Sequence, residues 1–300
     1  MDSDRPALLT IAHGTRDPRG AQEMAVLVER LRSLLGVPVA NGWIEDFSEP
    51  DPAGAAATLV EQGASAIVTL PLLVFGAGHA KTDVPEGVAE VRAALPGIRV
   101  LHGGVLGLQR SLFDLAARRV AGARRAAGLE SAPGESEVLV VTGAGSSDPD
   151  ANGDLAKAGR YLAEATGHRW VDTAYAGVTW PRADVALRRA GAAGARLAVL
   201  FSWSLLAGLL EARVSGMAAE VSDATGLQIV DAGRFGPAEE VAAAVANRYH
   251  EALHGHASAN CDLCQYRLPF PGREQRAGAP SAGGTGSLLT PAARAVQESR

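Results

Sequence analysis

The chain has little cysteine, few aromatic residues and no long apolar run. Only Cys261 and Cys264 occur, in a single C-x-x-C. That excludes a disulfide framework and makes a cytoplasmic protein the simple expectation. Aromatic residues are 5% of the chain, which favours close-packed α/β layers over a β-sandwich. No apolar stretch approaches the roughly 20 residues of a membrane span. The N-terminus, MDSDRPALLTIA, carries acids and leads straight into a strand, unlike a signal peptide. Net charge is −5 with no basic face or arm, which argues against nucleic acid as a partner. No nucleophile elbow follows a strand, and no G-x-G-x-x-G follows the first strand of either half. Ser-His-Asp hydrolysis and dinucleotide binding are therefore disfavoured.

What the chain does have is repetition. Shifted by 131 residues, Gly14 falls on Gly145, Asp17 on Asp148, Pro18 on Pro149, Pro50 on Pro181 and Gly63 on Gly194, without a gap. This reads as a duplicated domain. In the first half, strands are predicted at 8–12, 38–44, 66–74 and 98–102, with helices near 18–35, 51–62, 83–94 and 108–127. In the second half, strands are predicted at 138–144, 170–177, 196–203 and 227–233. Short apolar strands alternating with helical stretches mean parallel sheets covered on both faces. The expected fold is therefore α/β, with two homologous three-layer lobes and the active cleft between them. The first lobe spans 5–128 and the degenerate second lobe 136–253. Residues 254–300 form a Cys/His segment and a Gly/Ala/Ser/Pro-rich tail whose composition predicts disorder.

In open parallel sheets, ligands gather beyond the carboxyl ends of the strands. His13 follows the first strand there. Gly14, Asp17 and Pro18 serve the strand-to-helix turn, and the second half keeps them. His13 is not needed for the turn, since its counterpart is Ala144. His79 follows the third strand, and its counterpart is Leu210. Glu45 and Asp46 follow the second strand, opposite Ala176 and Gly177. Adjacent residues point to opposite faces, so at most one of the two acids reaches the cleft. Two imidazoles and a carboxylate suit a divalent metal with vacant positions. The plainer alternative is three unrelated loop residues. Neutral imidazole also serves as a general base near pH 7.

The motifs AHGTRDPRG and PLLVFGAGHAKTDVP, with FSEPD after paired acids between them, resemble the sirohydrochlorin chelatases of the CbiX/SirB type, in the class II chelatase superfamily. Thr15 stands where the family has Ser, and 66 residues separate His13 from His79, as in the family. The resemblance covers about residues 6–250. It implies insertion of Co2+ or Fe2+ into sirohydrochlorin without ATP, for cobalamin or siroheme biosynthesis. It makes His13 and His79 the catalytic and metal-binding histidines. The acidic metal-site residue falls on Asp46 by gapless count, while Glu45 is a one-residue slip away. The polycarboxylate substrate calls for cations at the cleft rim. Arg16 and Lys81 either meet that need or are solvated surface charges. His254, His256, Cys261 and Cys264 could form an accessory zinc or iron–sulfur site or a redox pair, or remain an exposed segment without a ligand. The alternatives to this enzyme are a non-catalytic metal or tetrapyrrole carrier, or a chelatase for another tetrapyrrole. Monomer and homodimer are both compatible with fused halves.

Overall fold

A computed structural model describes residues 6–45, 47–256 and 275. The first half runs β1 (Ala7–Ala12), α1 (Pro18–Leu35), β2 (Val39–Trp43), α2 (Pro52–Glu61), β3 (Ala66–Pro71), α3 (Gly78–Lys81), α4 (Asp83–Ala94), β4 (Arg99–His102) and α5 (Arg110–Ala126). The second runs β5 (Glu137–Gly143), α6 (Pro149–Thr166), β6 (Trp170–Tyr175), α7 (Ala183–Ala192), β7 (Leu197–Ser202), α8 (Leu209–Thr225), β8 (Gln228–Asp231) and α9 (Glu239–Leu253). Each half builds a four-stranded parallel sheet, ordered β2-β1-β3-β4 and β6-β5-β7-β8. α9 closes the described part of the second half at Leu253. No helix among the described residues is long and apolar enough to cross a membrane. The tail expected to be disordered, with Cys261 and Cys264, lies outside the described residues apart from position 275.

Local chemistry sets the elements. In α1 the Asp17 side chain accepts the Arg19 N–H, Pro18 occupies the first turn, and Gly36 closes the helix at φ 66°. Met24, Leu27, Val28, Leu31 and Leu35 recur at helical spacing and are buried. Each fully buried Leu stabilises by about 1.5–3 kcal/mol, and Leu31→Ala would cost about 2–5 kcal/mol.

The last helix of each half crosses to the other half. α9 packs on β3 and β4, and α5 packs on β7 and β8. The Tyr249 hydroxyl donates to Pro6 O at 2.6 Å and Arg248 Nη2 to Leu106 O at 2.8 Å. In return, Arg119 Nη2 donates to Phe235 O at 2.9 Å. One apolar cluster therefore contains Leu8, Leu31 and Leu70 together with Leu139, Phe201 and Tyr249. The linker is held as well: buried Arg124 donates to Glu137 and to Ser131 O, and His168 reaches the same carboxylate at 3.1 Å.

The helix predicted near 83–94 is α4, and a separate single turn, α3, precedes it. α3 and α4 are separated at Thr82, whereas their counterpart α8 runs unbroken. Pro85 explains the break, because it has no N–H for the Lys81 carbonyl and its ring crowds that position. One detail differs from the sequence reading: the turn after β2 is one residue longer than the turn after β6. Trp43 N–H and Tyr175 N–H bond to Pro50 O and Pro181 O. Glu45 N–H bonds to His13 O, while Gly177 N–H bonds to Ala144 O. The structural counterpart of Glu45 is thus Gly177, not Ala176.

Candidate metal centre

His13 and Glu45 stand just past the carboxyl ends of β1 and β2, held side by side by the Glu45 N–H bond to His13 O at 3.0 Å. Gly14 makes that approach feasible. It adopts φ 124°, and a Cβ there would lie 2.8 Å from Glu45 Cβ. His79 arrives from α3, beyond the end of β3.

The three side chains converge. His13 Nε2 lies 3.0 Å from His79 Nε2 and 3.4 Å from Glu45 Oε1. The rings meet edge to face, with centroids 4.3 Å apart. Among the described residues, this is the one group of His, Cys, Asp or Glu side chains whose ligand atoms lie close enough to share a metal ion. Both imidazoles are 43% exposed, so an ion held here would remain open to water and substrate. Asp46 lies outside the described residues.

The imidazoles differ electrostatically. Burial, helped by the neighbouring His79, pushes the His13 pKa down against the pull of Glu45. The His79 pKa is raised, chiefly by its hydrogen bond to Asp83 and against the effect of burial. Asp83 accepts from His79 Nδ1, and Thr82 Oγ1 donates to the other Asp83 oxygen at 3.2 Å. That bond assigns the Nδ1–H tautomer to neutral His79 and turns its Nε2 lone pair toward His13. Sequence reasoning did not include Asp83 among the site residues. The signal available was the four-residue spacing from His79, one helical turn.

The remaining candidates separate. The Arg16 guanidinium lies over the Phe47 ring, 4.4 Å from its centroid, beside His13. Among the described residues it has no carboxylate partner at ion-pair distance. Lys81 differs from the rim cation expected of it. Its ammonium is buried against Asp148 and Asp150 of the second half and is not free for a substrate carboxylate. His254 and His256 lie at the end of α9, exposed, with ring centroids 6.3 Å apart, and are not part of the group around His13.

Two cavities open along the seam between the halves, sharing Leu72, Ser204 and Leu205. The larger, about 420 Å³, is lined by His13, Arg16 and Phe47 on one side and by Leu209 and Leu210 on the other. The smaller, about 280 Å³, occupies the repeat-related position around Ala144 and Tyr175. Of the two, only the first is lined by an imidazole, that of His13.

The CbiX family model matches this chain twice, at residues 7–123 and 138–252. The sirohydrochlorin cobaltochelatase of Priestia megaterium is 30% identical over 263 residues, covering 87% of this chain and 85% of that protein. The sirohydrochlorin ferrochelatase of Bacillus subtilis is 30% identical over 160 residues, 53% of this chain and 59% of that protein. Among solved structures, SirB from Bacillus subtilis with Fe3+ superposes with a TM-score of 0.71 at 23% identity, covering 85% of this chain and 99% of that one. The fold of two lobes is thus shared with known chelatases.

Proposed function

The chain belongs to the CbiX family and is a metal chelatase, and we propose that it inserts Co2+ or Fe2+ into sirohydrochlorin without ATP. The observation that carries this reading is the convergence of His13, Glu45 and His79 on one point at the edge of the cleft.

Insertion requires the macrocycle to lose two pyrrole protons as the metal enters. As the ion passes from its ligands to the macrocycle, the Nε2 of His13 is freed. Kept neutral near pH 7 by burial and by His79, it accepts one proton, and the other goes to water at the open edge of the site. Glu45 balances the imidazolium that forms. His79, fixed in its tautomer by Asp83, offers Nε2 to the metal. Three protein ligands leave positions for water, so the ion is held loosely enough to be handed over. Arg16, at the mouth of the cavity, pairs with a substrate carboxylate. The imidazoles accept cobalt and iron alike. Cobalt would place the enzyme in cobalamin biosynthesis and iron in siroheme biosynthesis.

The test is anaerobic incubation of the full chain with sirohydrochlorin and Co2+, Fe2+ or Ni2+, following absorbance. Insertion faster than the uncatalysed control, and lost in His13→Ala/His79→Ala, supports the reading and ranks the metals. Pigment binding with no rate above the control would leave a carrier instead.

A further inference from the structure

We infer that Lys81 is a positioning residue for the metal centre: buried between Asp148 and Asp150 of the second half, it holds in place the one-turn helix that carries His79. The inference rests on the reading of His79 as a metal ligand. Lys81 lies two residues after His79 on α3. That helix has four residues, no side-chain cap, and a break from α4 immediately after it. A single helical turn does not maintain its own geometry in water, so an external restraint is required.

The geometry supplies one. Lys81 Nζ donates to Asp148 Oδ2 at 2.8 Å and to Asp150 Oδ2 at 3.0 Å. The Lys81 side chain is 8% exposed and that of Asp148 is 1% exposed. Charges this deeply buried persist only when partnered. Lys81 is one of only two lysines in the chain, against 28 basic residues in all. A compact ammonium with three donors suits a bridge between two carboxylates better than a planar guanidinium does.

The repeat shows that the link is not inherited symmetry. Asp17 and Asp148 are counterparts, and both cap the first helix of their half. Asp17 directs its other oxygen to Arg19 of its own helix, at 2.7 Å. Asp148 directs the equivalent oxygen across the cleft to Lys81. The counterpart of Lys81 is Ala212, which can form no such bond. The facing loop is instead held to α1 by Glu23, which accepts from the Ala207 N–H and from Arg234, each at 2.8 Å. Each loop thus reaches the first helix of the other half, by different chemistry. The second half has no counterpart of the metal-binding histidines, yet it keeps the acid that anchors His79.

The experiment compares the full-length protein with Lys81→Met, with Asp148→Asn/Asp150→Asn, and with the triple variant. Asn still caps α6, and the triple variant leaves no buried charge unpaired, so it guards against simple misfolding. Co2+ alone is titrated and its visible absorption recorded, and insertion into sirohydrochlorin is then measured. Each variant should weaken Co2+ binding about tenfold and alter the absorption envelope. Each should lower kcat while leaving KM for the pigment near that of the unmodified protein, and the triple should be no worse than either parent, because the changes remove one interaction. Unaltered Co2+ binding and spectrum in the Lys81 and triple variants would overturn the inference. So would a rise in KM in Lys81→Met alone, which would make Lys81 a direct contact to the pigment. If the Co2+ effects hold but the unmodified protein inserts no metal, the positioning role stands and the chelatase reading falls.

Discussion

His13 and His79 are 66 residues apart in the chain, and their Nε2 atoms are 3.0 Å apart in space. Parallel β1 and β3 are hydrogen-bonded neighbours, so residues beyond their carboxyl ends meet at one edge. The orientation of the second imidazole is then decided by Asp83. Asp83→Asn should weaken Co2+ binding about 10- to 100-fold, read by titration of the full chain at constant pH. Asp83→Glu should recover part of that loss. An unchanged affinity would remove Asp83 from the metal centre.

Glu45 is the acid beside His13. Glu45→Gln should slow insertion at least tenfold, within the range of a lost acid–base or charge-balancing group, with the fold intact by circular dichroism. Asp46→Asn should leave the rate close to that of the unmodified enzyme. The reverse result would transfer the acidic role to Asp46.

Gly20 lies inside α1, where alanine ordinarily stabilises by about 0.5–1 kcal/mol. Here a Cβ would meet the Ala207 carbonyl of the facing loop at 2.5 Å. The steric term is the larger, so Gly20→Ala should destabilise by about 1–3 kcal/mol. That corresponds to a melting temperature lower by roughly 2–10 °C. A raised melting temperature would mean that the halves separate easily at this contact.

The buried group Arg124–Glu137–His168 gives stability a defined pH dependence. Burial holds His168 below its usual 6.5, more strongly than Glu137 raises it. The unfolded chain therefore takes up that proton first, and stability falls as pH drops below about 6.5. Burial alone would raise Glu137, but Arg124 outweighs it and holds the carboxyl below its usual 4.5. Its contribution is present above about 4.5 and is lost as pH falls through the lower folded value. Melting curves from pH 8 down to about pH 2.5 should show both losses, the second only below about 4.5. His168→Gln should flatten only the upper one, and a profile identical to that of the unmodified protein would refute this assignment.

Because α5 and α9 cover each other's sheets, a fragment ending at residue 128 has a bare apolar face on β3 and β4. It should not behave as a folded monomer in sedimentation and amide exchange. A stable monomeric fragment would show that the exchanged helices are dispensable.

Much of this was legible beforehand. Apolar strands at regular spacing, Asp17 and Pro18 at one helix start and Asp148 and Pro149 at another announced the repeated α/β units. Asymmetry between the repeats singled out His13, His79 and the acid pair. The legible features are local ones: strand and helix periodicity, caps, and turns that need glycine. The slip that makes Gly177 the partner of Glu45 was hidden, because an insertion and a deletion cancel in a gapless count.

The sequence by itself determined the two parallel sheets, their repeat relationship and the strand ends where chemistry gathers, because periodicity and backbone preference act over a few residues. Only the tertiary structure decided that Asp83 orients His79, that Lys81 belongs to Asp148 and Asp150, and that α5 and α9 exchange places. A charged side chain has no periodicity that names its partner. Which carboxylate an ammonium meets depends on how two folded halves pack, and that is settled by apolar surfaces far from the charge itself.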